Sequence, residues 1–240
     1  MKKILLLLVL LPSLLISCSS EEIMEASQTL TEPNSTAESP MPGNAANPYD
    51  AAGRAHNNIL DLYEAMNTVN DTTITMISNR VKEIALANTD VMLLNTGYST
   101  TVLSPEEIGE IVIDPAANLN TVITASTLTA GAKTSLSHFI DSLLLLEKEK
   151  YEVIYQFIIS YETTVIDNGQ FNNFDKRALL LTTSLLRHWY FHIRERRDPD
   201  WGKSKGNAVG ALKGALKGPF TAVTGSLVVG IAQSKNVSPK

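Results

Sequence analysis

Apolar residues recur along this chain at steps of three and four. Ala55, Ile59, Leu62 and Met66 fall on one side of a helix capped by Asp50, and Ile74, Ile77, Val81 and Ile84 repeat the pattern. From about Thr134, Leu136, Phe139, Ile140 and Leu143 form another such face. Tyr151, Ile154, Tyr155, Ile158 and Tyr161 continue with the same period until Asn168-Gly169 stops it. Ser104-Pro105-Glu106-Glu107 reads as a helix start: a capping hydroxyl, proline at the first turn, then acids at the positive end of the dipole. That helix ends by Asp114-Pro115. Residues 116–131, rich in Ala, Asn and Thr, read as a loop with a helical turn. Asp175 is expected to cap a last long helix that is apolar nearly all round from Ala178 to Ile193, as a buried central helix is. Arg187 is the one permanent charge in that stretch, and folding 151–166 back on 178–193 brings Glu152 toward it. No alternating strand pattern of useful length occurs. The fold class is therefore all-α: a single bundle of about five or six helices with a C-terminal glycine-rich helical hairpin.

The hairpin is read from residues 202–232. Gly202, Gly206, Gly210, Gly214 and Gly218 stand four apart. A step of four drifts by about 40°, so only the inner three can share a seam, with Gly218 before Pro219 as the helix end. On the wheel these glycines share a side with Lys213 and Lys217, opposite Ala208, Val209, Ala211, Leu212, Ala215 and Leu216. A second, uncharged segment, FTAVTGSLVVGIA, follows the Gly-Pro. Its composition resembles the glycine-zipper ends of bacteriocin-like peptides.

Charge sharpens the division. Residues 201–240 hold six lysines and no acid, while 18–200 hold twelve basic and twenty-five acidic residues. Such asymmetry points to an interaction segment. Lys203, Lys205, Lys213 and Lys217, with Gly210 and Gly214, are the expected contacts, either to anionic lipid headgroups, to a protein partner, or to the acidic body of the same chain.

The first residues, MKKILLLLVLLPSLLISCSSEE, place two lysines before an apolar run of about thirteen residues, too short to span a bilayer. Leu15-Ile16-Ser17-Cys18 resembles the lipobox of bacterial lipoproteins. The resemblance implies cleavage of 1–17, a lipid on Cys18 and stable anchoring by several acyl chains. Cys18 is the only cysteine, so the lipidated protein would hold no disulfide, Cys–metal site or catalytic thiol. Residues 18–48, with Pro33, Pro40, Pro42 and Pro48, read as the lipidated cysteine and a disordered tether. Residues 49–200 then form the helical domain, and 201–240 the basic hairpin or tail. Acidic residues just after the cysteine resemble a surface-export signal.

Candidate chemistry is sparse. His188 and His192 stand four apart on one helix, a metal-ligand spacing, with Glu195 able to add a third ligand. The segment lacks the glutamate of HExxH. Asp50 and His56 suggest a structural polar cluster, and the NPYD…G…HN opening resembles that of a group of lipoproteins without an assigned activity. No P-loop, GxGxxG or ordered Ser–His–Asp set occurs. The sequence is read as a lipid-anchored cell-envelope protein, at the outer membrane and on the surface side. Its role is expected to be non-enzymatic, with no cofactor and no nucleic-acid partner. The alternatives are a membrane-active hairpin and a metal-dependent enzyme.

Overall fold

The computed structural model describes residues 41–66, 70–146, 148–195 and 202–237, with the backbone alone at 195 and 202–204. Cys18, the leader and residues 19–40 of the expected tether lie outside the described residues. Ten helices and no strand are found among those described, so the fold is all-α. They are α1 (Asp50–Ala65), α2 (Ile74–Ala87), α3 (Thr89–Leu94), α4 (Pro105–Ile113), α5 (Pro115–Ala125), α6 (Ala130–Leu145), α7 (Tyr151–Asp167), α8 (Asn173–Glu195), α9 (Gly202–Ala215) and α10 (Pro219–Ser234).

The count exceeds the sequence reading because short caps divide what looked like loops. Asn88 accepts the Val91 N–H at 3.1 Å and starts α3. Asp114 accepts the Ala117 N–H at 3.0 Å, Pro115 takes the first turn, and α5 occupies the expected loop as far as Ala125, leaving only 126–129 between it and α6. Leu119, Val122 and Ile123 supply its short buried stripe. At α4 the expected start is present as a full capping box, Ser104 and Glu107 each bonding the other's backbone N–H.

Two caps differ from expectation. Tyr49, not Asp50, occupies the N-cap of α1, and its side chain makes no capping bond. Asp50 sits in the first turn with its carboxylate turned into the protein. At α8 the cap is Asn172, which accepts from the Asp175 N–H at 2.9 Å. Asp175 returns a bond to the Asn172 N–H and also accepts from the backbone and hydroxyl of Thr129, the cap of α6. One carboxylate therefore ties the starts of α6 and α8 together.

The buried face of α1 is rotated from the one the spacing suggested. Ala55 and Ile59 are buried, but Leu62 is 51% exposed and Met66 43%. His56, Leu60 and Tyr63 take their place inward. The stripes of α2 and α6 fall inward as their periods required, while on α7 Tyr151, Ile154 and Ile158 are buried and Tyr155 and Tyr161 only half-buried at the edge of the core. Helix α8 is buried without a break from Ala178 to Tyr190 and packs on α1, α7 and α9.

The C-terminal hairpin is not an appendage. The described residues of 41–237 belong to one compact unit, and α10 is buried at every position from Pro219 to Ala232. It packs on α9 and against α1, α2, α3, α4 and α8. The proposed boundary at 200/201 therefore does not divide the structure. The outer edge also shifts: residues 41–48, assigned to the tether, lie on the bundle, with Pro42 and Asn47 buried. Asn95 stitches the hairpin turn to the shell. Its side chain accepts the Phe220 N–H at 3.1 Å and donates to the Tyr98 carbonyl at 3.1 Å.

Candidate functional site

Two features carry polar chemistry inside the bundle. The first is a charge network where α1, α7 and α8 meet. Arg187 is fully buried on α8. Its Nη2 donates to Asp50 Oδ1 at 2.8 Å and to Glu162 Oε1 at 3.3 Å. The partner on α7 is thus Glu162, fully buried, and not Glu152 as folding the helices back had suggested. Glu162 also accepts from Asn44 at 2.6 Å and Asn47 at 2.8 Å, which draws the entry segment onto the bundle. Asp50 further accepts from the Asn44 N–H and from Arg54.

His188 belongs to this network. Its Nε2 lies 3.3 Å from Asp50 Oδ1. Burial opposes the ionised form of Asp50, but hydrogen bonds from His188 and Arg187 outweigh it and hold the carboxyl well below the usual range. Burial lowers the pKa of His188, more than the Asp50 bond raises it. A carboxylate beside an ever-charged guanidinium is thereby fixed in its ionised form, with a neutral imidazole donating to it. The close approach of α1 to α8 depends on Gly53: a Cβ there would meet the His188 ring and come within 2.6 Å of the Ser184 carbonyl. The Gly53 N–H donates to Ser184 Oγ at 3.1 Å.

The second feature is a pocket of about 280 Å³ between α1, α8, α9 and α10. Its walls include Leu60, Leu227 and Ile231 with the rings of His56, Tyr63, Trp189 and His192. His56 and Trp189 meet edge to face at 6.1 Å, and Trp189 stacks on His192 at 6.2 Å. Burial pushes the His56 pKa down to about 3, so the ring is neutral at pH 7. Asn57 donates to the His188 carbonyl through Nδ2, which turns its Oδ1 toward His56 Nδ1 at 3.1 Å. The proton of His56 therefore sits on Nδ1 and Nε2 is an acceptor. Among the described residues that Nε2 has no hydrogen-bond partner, and neither amide atom of Asn207 has one. Each such group, left dry, costs about 1–3 kcal/mol.

The histidine pair read as a metal-ligand spacing divides between these two features. His188 turns to Asp50, and His192 lines the pocket. Among the described residues no group of three or more His, Cys, Asp or Glu side chains is placed to hold a metal ion.

The basic residues of the hairpin are placed as follows. Lys213 and Lys217 both reach Glu107 of α4, at 3.5 and 3.0 Å. Lys205 is half-buried at the start of the hairpin. The Lys203 side chain lies outside the described residues. Gly210 and Gly214 are buried against α10, where a Cβ on Gly210 would come within 2.6 Å of the Gly225 carbonyl and one on Gly214 would strike the backbone of Thr221 and Ala222.

Sequence reasoning missed Glu162, though a signal was present: it lies on the Ile154, Ile158, Val165 stripe, where an acid belongs only with a buried partner. Asn207 carried no such signal, since nothing in its surroundings marked which side of α9 would close a cavity. No helix among the described residues is long and apolar enough to cross a membrane. No protein-family model, curated protein or solved structure matches the chain.

Proposed function

We propose that this chain is a lipid-anchored protein of the bacterial cell envelope whose helical domain acts by binding, not by catalysis. The lipobox at Leu15–Cys18 supports the anchor and the export. The observation that carries the non-enzymatic, non-lytic reading is the placement of the hairpin. Its lysines at 213 and 217 are spent on Glu107 of the same chain, and its apolar helix is enclosed by the shell. The basic segment then serves as the spine of the bundle rather than as a free arm for anionic lipid.

The test uses the non-lipidated chain, residues 19–240, with vesicles of phosphatidylethanolamine and phosphatidylglycerol. The expected result is no retention on vesicles and no dye release at neutral pH and moderate salt. Salt-sensitive retention would return the basic segment to the membrane. A membrane-active second reading has one observation in its favour: α10 is uncharged throughout and wrapped by amphipathic helices, as an apolar element held in store would be. Dye release would select it. The anchor is tested separately, by the mass of the N-terminal peptide in cells carrying Cys18 or Cys18→Ser.

A further inference from the structure

The pocket between α1, α8, α9 and α10 lies apart from the Arg187 charge network, and its wall holds polar atoms that have no hydrogen-bond partner among the described residues. Natural interiors rarely leave such atoms dry. His56 is fully buried and Asn207 nearly so, and both border the cavity. His56 offers an acceptor at Nε2, fixed by the Asn57 bond at Nδ1. Asn207 offers a donor and an acceptor on one amide. Four of the lining side chains are rings, and Leu60, Leu227 and Ile231 add an apolar surface. The charged groups, Glu64 and Lys235, are on the last turns of α1 and beyond α10, with Ser234 exposed beside them.

We propose that this cavity is a binding site for a small, neutral, planar molecule that donates an N–H or O–H to His56 Nε2 and engages the Asn207 amide. Size supports a bicyclic body: the cavity is about 280 Å³, nearly twice the roughly 150 Å³ apolar cavity that admits benzene. Charge is disfavoured at the inner end. A cation there would meet a neutral donor-acceptor pair, the carboxylate of the described lining, Glu64, being exposed on the last turn of α1. An anion would face the bare lone pair of His56, whose ring stays unprotonated because burial holds its pKa near 3. The ring walls favour a flat molecule over a flexible chain. This site would give the anchored domain something to bind, but it does not require the anchor.

The test uses residues 19–240 and two probes, indole and 1-methylindole, which differ in one N–H. Titration calorimetry and thermal melting read the binding. Indole is expected to bind saturably and to raise the melting temperature. The methylated probe is expected to bind roughly tenfold more weakly, the loss of one hydrogen bond to a buried acceptor. Indole should also shift the side-chain amide resonances of Asn207 and the ring signal of Trp189. Ser234→Trp, at an exposed position beside the mouth, should weaken indole without lowering stability. His56→Phe, where it folds, should abolish the preference for indole over its methyl analogue. Absence of saturable indole binding overturns the proposal. So does equal affinity for the two probes, or indole binding that Ser234→Trp leaves unchanged. Retention on vesicles in the separate assay bears on the anchored-module reading alone and leaves this result standing.

Discussion

Arg187 is where a single residue decides most. It is fully buried with Asp50 and Glu162, and its guanidinium is the one permanent positive charge that the two carboxylates share in the interior. Removing it leaves the buried Glu162 without its guanidinium and Asp50 with only the more exposed Arg54 beside it. Arg187→Met should therefore cost about 3–5 kcal/mol of unfolding free energy, read from urea melts. Arg187→Lys should recover little, because one ammonium cannot serve both acids through a planar fork. Glu162→Gln should cost less than Arg187→Met, since an amide oxygen in the place of Oε1 still accepts from Asn47 and Arg187, and the Asn44 bond to Oε2 is the one lost. The arginine was visible in the sequence as a charge inside an apolar helix. Its partners were not. Glu152 and Glu162 both lie on α7, and only the real helix crossing selects the second. Asp50 comes from a helix more than a hundred residues away, which no local pattern can pair.

Among the elements, the α9–α10 hairpin shows most clearly how backbone geometry sets sequence. Gly210 lies against the Gly225 carbonyl, and Gly225 in turn faces the Gly210 carbonyl at 2.8 Å from a Cβ position. Alanine is ordinarily the better helix former by about 1 kcal/mol. At Gly214 the obstacle is backbone, which cannot rotate aside, and overpacking of this kind costs about 1–3 kcal/mol. Gly214→Ala should thus lower stability despite its propensity, and Gly214→Leu far more. Gly169→Ala is the control, since nothing stands within 4 Å of a Cβ there. If both alanines prove equally harmless in thermal melts, the helices do not meet at these glycines. The zipper spacing was legible because close approach needs glycine at regular steps. The rotation of α1 was not. Leu62 and Met66 match the periodic stripe as well as Leu60 and Tyr63 do, and the choice depends on where α8 and α10 lie. Helix α5 was missed for a related reason: eleven residues with one proline start and three buried aliphatics give too short a stripe to separate from a loop.

For the molecule as a whole, the order of helices in space differs from their order in the chain. The last helix is the spine, and the first, second, third, fourth and eighth pack around it. A chain ending at residue 201 should then show no cooperative thermal transition, whereas a detachable tail would leave a folded bundle behind. Composition misled here: a basic, acid-free end looks like an arm, but an uncharged helix with lysines only on its partner also suits an interior hairpin whose charges exit toward Glu107. The same enclosure sets the response to acid. His56 has its pKa lowered to about 3 by burial, and His188 is lowered as well, by burial first and by Arg187 and Arg54 in addition. Between these values and the ordinary histidine value the unfolded chain binds protons that the folded chain refuses. Stability therefore falls as pH drops below about 6.5, by up to about 1.4 kcal/mol per unit for each histidine. Asp50, whose folded pKa is depressed, adds stability that is present above the ordinary aspartate range and is lost only in stronger acid. Urea midpoints at pH 7, 6 and 5 should decline, more steeply from 6 to 5 than from 7 to 6 because the unfolded imidazoles are then mostly protonated, and His56→Phe should remove up to about one proton from the slope. A flat profile from pH 7 to 5 would mean that both imidazoles reach water, and would remove the sealed wall on which the pocket's selectivity for neutral donors depends.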